Sequence, residues 1–168
     1  TNLTIEIEEA GLGLIRVVDD GHGMSKEDLA LAIQRHATSK IRQSADLFAI
    51  RTLGFRGEAL PSIAAVSRTT IATKTAETPH GWFLTMEGGE TIEAGRKGML
   101  TGTIIEVRDL FFNTPARRKF LKTPATEQKN IMDIIVRYAL AYPEVSFSVS
   151  SGGRQLMPLP PGLSPAER

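Results

Sequence analysis

The chain has 168 residues, 41% of them hydrophobic and 23% charged, a balance that supports one globular domain with a real core. Its formal net charge is +1 and it has no cysteine, so disulfides, thiolate metal sites and a cysteine nucleophile are excluded. A near-neutral field commits the chain to no partner, and any nucleic-acid contact has to come from a local basic patch. No apolar run approaches membrane-spanning length, and no signal peptide opens the sequence.

Leu3, Ile5 and Ile7 alternate with Thr4, Glu6 and Glu8, which predicts a half-buried strand. Gly11-Leu12-Gly13 supplies a turn into a second strand over Leu14–Val18. Ser25 and Asp28 are spaced as a capping box, each side chain reaching a free backbone N–H, with Leu29, Ile33 and His36 on one face of the helix that follows. From Ala37 to Arg56 the pattern loosens into a long connection, a length usually reserved for function. A short helix is expected near Gly57 and Glu58, with Pro61 in its first turn. Strands follow over Arg68–Lys74, Gly81–Glu87, Glu90–Glu93 and Gly102–Asp109. Thr123-Pro124 opens a strong helix with Ile131, Ile134, Ile135, Tyr138 and Tyr142 on one stripe, and Pro143 ends it. Val145–Ser150 and Arg154–Leu159 form a last hairpin about Gly152-Gly153, and the tail from Pro158 to Arg168 is proline-rich. The sum is α+β: a mostly antiparallel sheet with helices on one face.

Five segments could carry chemistry. Asp19-Asp20-Gly21-His22-Gly23 joins a strand end to a helix; its carboxylate can accept from an exocyclic amine, and equally it can be an acidic turn. Gly54-Phe55-Arg56-Gly57-Glu58 aims backbone N–H groups and a cation at an anion, or it is a glycine-rich turn capped by a helix. Thr38, Ser39 and Lys40 gather hydroxyl and ammonium donors suited to phosphate, although helix ends attract Lys and His for dipole reasons alone. Gly102-Thr103 allows a close approach beside a hydroxyl. Between Pro115 and Thr123 stand Arg117, Arg118, Lys119 and Lys122 with no acidic residue, a phosphate-backbone patch or a solvated helix face.

Taken in order, DDGHG, RHATSK, LGFRGEAL, GT and LFFNTPARRKFL resemble the MutL family of DNA mismatch-repair proteins. The likeness runs from Leu3 to about Leu156. DxGxG and GT belong to a wider ATPase superfamily with gyrase, a heat-shock chaperone and histidine kinases. RHATSK, GFRGEAL and NTPARRKFL are much more specific to MutL, and RHATSK and NTPARRKFL argue against the gyrase and kinase branches.

The resemblance implies a two-layer α/β sandwich that holds ATP between helices and a lid. It implies an ATP-binding domain over residues 1–143 and the start of a second, transducing domain over 144–168. Asp19 would accept from the adenine amino group, with Gly21 and Gly23 giving the base room and Thr103 supporting it through water. Thr38, Ser39 and Lys40 would lie in the lid, and Gly54, Phe55, Arg56, Gly57 and Glu58 would close over the triphosphate. The Arg117, Arg118, Lys119 and Lys122 cluster would lie beside that site and could contact DNA. Implied partners are a mismatch-recognition protein, other repair factors, DNA and a second copy brought together by ATP, in the cytoplasm and off the membrane.

In the family, the general-base glutamate and the asparagine that holds Mg²⁺ precede the first strand seen here. Thr1 is not Met and opens inside a strand pattern, as expected of a chain cut on both sides. The intact parent is therefore expected to be an ATPase and an ATP-driven switch, and this chain alone to be nearly inactive. The other reading is a module that binds DNA or a partner without using nucleotide.

Overall fold

A computed structural model describes residues 1–34 and 57–162. Its strands are β1 (Asn2–Glu8), β2 (Leu14–Asp19), β3 (Arg68–Lys74), β4 (Gly81–Glu87), β5 (Glu90–Lys97), β6 (Gly102–Arg108), β7 (Ser146–Ser151) and β8 (Arg154–Leu159). They form one eight-stranded sheet in the order β5-β4-β3-β6-β2-β1-β7-β8. Every pairing is antiparallel except that of β1 with β7.

Register decides which side of the sheet is buried. Ile5 stands opposite Val17, Val17 opposite Ile105, Ile105 opposite Ile71, and Ile71 opposite Leu84, so these side chains share one face. Both apolar clusters among the described residues lie there. Helix α4 (Pro124–Ala141) covers the β1–β7 end with Ile135 and Ala139, against Ile5, Ile7, Phe147 and Val149. Helices α1 (Lys26–Ala32) and α2 (Ala59–Ala64) cover the β3–β4 end, where Leu29 and Ala64 meet Ile71, Leu84 and Met86. Each fully buried isoleucine contributes about 1.5–3 kcal/mol by leaving water. The opposite face carries a ladder of charge, Glu6–Arg16–Glu106, with Arg16 at 3.4 and 3.0 Å from the two carboxylates. Such partly exposed pairs add little stability, and apolar residues stand beside them on the same face, Val18 opposite Ile104 and Ile104 opposite the buried Ala72. The expected α+β class, with helices on one face of a mostly antiparallel sheet, is the observed one.

Local chemistry explains most of the ends. The Ser25 hydroxyl accepts from the Asp28 N–H at 3.0 Å, which caps α1. The reciprocal half of the expected capping box is absent, because the Asp28 carboxylate accepts from the Ser25 hydroxyl itself at 2.9 Å. Thr123 caps α4 and Pro124 fills its first position, while Tyr142 leaves the helix just before Pro143. The expected stripe on α4 is rotated. Ile131, Met132, Ile135 and Ala139 face the core, whereas Ile134 is 53% and Tyr138 42% exposed. Both readings fit a 3.6-residue repeat, and the sheet selects the stripe that includes the small Ala139 because α4 can then lie close. Strand β5 continues to Lys97, beyond the expected Glu93, as an exposed edge.

The hairpin β7–β8 is part of this sheet. Residues Asn2–Ile7 pair in register with Ser146–Ser151, and Phe147 and Val149 belong to the β1 core. No break in packing falls at residue 144 among the described residues.

Candidate functional site

One row of the buried face runs Leu159, Phe147, Leu3, Asp19, Thr103, Thr73, Trp82 across seven strands. It is apolar at both ends and polar in the middle. A carboxylate and two hydroxyls that interrupt an apolar row need a reason, since burying polar groups is unfavourable unless they are paired.

The pairing is only partly internal. Asp19 Oδ1 accepts from the Gly21 N–H at 2.8 Å, which folds DDGHG into a tight turn. Asp19 Oδ2 has no hydrogen-bond partner among the described residues. Thr73 and Thr103 are both buried, with their hydroxyl oxygens 3.2 Å apart. The Thr73 hydroxyl also accepts from the Met24 N–H at 2.8 Å, which ties the loop before α1 to β3.

Two glycines bring backbone onto backbone around this row. A Cβ on Gly23, at φ +71°, would lie 2.0 Å from the Lys74 carbonyl oxygen. A Cβ on Gly102, at φ +131°, would lie 2.1 Å from the Asp19 carbonyl oxygen. Both positions are left-handed and closed to a side chain, so DDGHG and the GT dipeptide are locked to the strands beside them. Asp20 turns away and accepts from the Asn2 backbone and side-chain N–H groups, which hold its carboxyl below the usual carboxylate range. His22 is exposed, and among the described residues no three His, Asp or Glu side chains come together as a metal set.

Comparison with known proteins places this arrangement. No family model matches the chain. It is 55% identical over 93% of its length to the DNA mismatch repair protein MutL of Anoxybacillus flavithermus, and 54% identical over 93% to that of Streptococcus sanguinis. It spans 26% and 24% of those two relatives, about a quarter of each. The Aquifex aeolicus MutL ATPase domain complexed with ADP superposes with a TM-score of 0.79 at 34% identity, over 97% of this chain and 57% of that one. The chain belongs to the MutL family. It corresponds to the N-terminal ATPase region.

The residues singled out in the sequence fall into four groups in this MutL region, the basic segment being the last. Asp19, Gly21, Gly23 and Thr103 come together as described. Gly57, at φ +62°, and the exposed Glu58 lead into α2, which has six residues. Thr38, Ser39, Lys40, Gly54, Phe55 and Arg56 lie outside the described residues.

The basic segment stands elsewhere. Helix α3 (Pro115–Lys119) follows the far end of β6, and the strand between it and Thr103 is roughly 20 Å long at ordinary rise. Asn113 Nδ2 donates to the Ala65 carbonyl at 2.9 Å and Phe111 N donates to Val66 O at 2.7 Å, so this MutL segment neighbours the exit of α2 rather than Asp19. Beside it, Arg68 bridges Asp109 at 2.8 Å and Glu87 at 3.2 Å and lies 4.7 Å from the Phe112 ring centre, and the two carboxylates raise its pKa. Arg117, Arg118, Lys119 and Lys122 are exposed around Phe120, which is 86% exposed. Sequence reasoning missed Thr73. A threonine in a β-strand is ordinary, and only the pairing of Thr73 with Thr103 reveals it.

Proposed function

We propose that this chain supplies the base-binding pocket, and part of the phosphate lid, of an ATP-driven switch that links mismatch recognition to downstream repair. One observation carries the reading: the Asp19 oxygen left without a partner among the described residues, beside the buried Thr103 and Thr73 hydroxyls in an otherwise apolar row. That donor set suits an exocyclic amine on a flat, largely apolar ring better than a metal ion, since it has one carboxylate and no second anionic ligand. Thr38, Ser39, Lys40 and the segment from Gly54 to Glu58 are proposed to face the phosphates, on the strength of the MutL resemblance.

Hydrolysis in the parent would need a general-base glutamate to activate water and Mg²⁺ to offset charge on the phosphates. The resemblance assigns both the glutamate and the Mg²⁺-holding asparagine to a helix before Thr1. Neither has a counterpart in the described site. We therefore propose that the chain by itself turns ATP over slowly or not at all, and that nucleotide-driven pairing with a second copy and engagement of the mismatch-recognition protein belong to the whole protein in the cytoplasm. No described helix is long and apolar enough to cross a membrane. The continuity of β7 with β1 favours a junction with the transducing domain after Leu159 rather than at residue 144.

Calorimetric titration with ATP tests the pocket. Asp19→Asn replaces the open acceptor by an amide that can present a donor, and ATP affinity should fall tenfold or more. Unchanged affinity would sink the assignment. A second reading, DNA contact at the basic segment, is favoured by the exposure of Arg117, Arg118 and Lys119 around an exposed Phe120. It adds to the nucleotide reading and does not replace it.

A further inference from the structure

Thr73 is fully buried, and its hydroxyl oxygen has three polar neighbours. It accepts from the Met24 N–H at 2.8 Å, stands 3.2 Å from the Gly102 carbonyl oxygen, and stands 3.2 Å from the Thr103 hydroxyl oxygen. A hydroxyl offers one proton and two lone pairs. Met24 takes one lone pair. If the Thr73 proton went to Thr103, the Gly102 carbonyl would face the remaining lone pair at 3.2 Å with no hydrogen between them. Donation to Gly102, with acceptance from Thr103, uses all three contacts and leaves none repulsive.

That count has a consequence for the pocket. With the Thr103 proton directed at Thr73, both Thr103 lone pairs remain for whatever lies above it. Asp19 Oδ2 is an acceptor as well, so this row presents acceptors only. Met24 is held in the same stroke, and through it the loop from Gly21 to Ser25 is fixed on β3, where Gly23 already lies flush against the Lys74 carbonyl.

We propose that Thr73 is a positioning residue for the nucleotide site: its hydroxyl sets Thr103 as an acceptor and pins the loop at Met24, so that the pocket takes a purine edge bearing an amine and turns away one bearing a carbonyl. The inference rests on the nucleotide reading above. It assigns Thr73, acting through Thr103 and Met24, a share of base selectivity. Thr73→Val keeps the shape and removes the hydroxyl; Thr73→Ser keeps the hydroxyl and removes a methyl.

The test is a ¹⁵N NMR titration of the chain with ADP and with GDP, for the wild type and both variants, together with amide exchange at Met24. The wild type and Thr73→Ser should favour ADP over GDP to the same degree and protect the Met24 amide. Thr73→Val should lose about tenfold or more in ADP affinity, narrow the ADP-to-GDP ratio, and exchange faster at Met24. A valine variant with wild-type ratio and protection would overturn the proposal while leaving the nucleotide reading intact. A serine variant that loses selectivity would also overturn it, because volume and not the hydroxyl would then be responsible; this arm decides the matter if the valine variant unfolds. A wild type that binds neither nucleotide would remove the nucleotide reading, and the proposal with it.

Discussion

Gly23→Ala is the perturbation whose size the structure sets most directly. Gly23 sits at φ +71°, and an added Cβ would fall 2.0 Å from the Lys74 carbonyl oxygen and 2.6 Å from its carbon. A left-handed alanine costs about 1–2 kcal/mol before any contact is considered. The collision is with backbone, which has no rotamer to yield, so the loop or β3 must move and the Met24 to Thr73 bond must stretch; losing that bond leaves a polar group unpaired at about 1–3 kcal/mol. Together these make roughly 3 kcal/mol or more, a large part of the ~5–15 kcal/mol that holds a domain of this size. At ~2–4 °C per kcal/mol the melting temperature should drop by about 6–12 °C. Circular dichroism melts read it. Gly98→Ala is the control, since nothing lies within 4 Å of its added Cβ and its φ is not left-handed, and it should shift the melt by about 1 °C or less. If the two variants melt together, the account of DDGHG as a loop clamped to β3 is wrong.

Two further outcomes follow from the charged features. Reversing Arg117 and Arg118 to Glu should weaken DNA binding and flatten its salt dependence, as read by anisotropy across a salt series, with ATP affinity unchanged because α3 lies at the other end of β6; a salt slope equal to wild type would remove α3 from the interface. Asp20 is held below the usual carboxylate range by the Asn2 N–H groups, so its contribution to stability is present above its unfolded pKa and is lost as pH falls through the lower folded value. Asp20→Asn removes the titrating group and should make the stability of the chain less sensitive to pH between those two values, in urea melts stepped downward in pH, while Asn2→Ala keeps the backbone donor and should reduce that sensitivity only in part; an Asp20→Asn profile identical to wild type would contradict the role of this contact.

The sequence discloses what is local and repeats. Alternation in β1, the Ser25 and Thr123 caps, and the glycines of DDGHG all follow from residues within a few positions of one another. The site was legible in part for the same reason, because Asp19 and Gly23 share one loop. What escaped depends on partners far along the chain. Thr73 acquires its meaning from register with Thr103, and the parallel pairing of β7 with β1 has no local signature. The stripe on α4 was ambiguous because apolar residues occupy more than one face, and only the sheet chooses Ala139 over Tyr138. Asn113, just before the basic run, has no local signal of its own; its side chain holds the end of α2, a contact spanning 48 residues of sequence.

The parallel seam between β1 and β7 also bears on how the chain comes to be made. Strand β1 is synthesised well before one of its two neighbours, which begins at Ser146, and before the helix that covers Ile5 and Ile7, which begins at Pro124. Until β7 emerges, β2 is the only one of its two described partner strands that β1 can meet, and the edge that β7 will take stays open. Such late, long-range closure is slow and leaves an open edge available to the wrong strand. The MutL region should accordingly depend on the β7–β8 hairpin for kinetic safety as well as for stability, and a ribosome that stalls before residue 146 would release an edge-exposed, aggregation-prone chain.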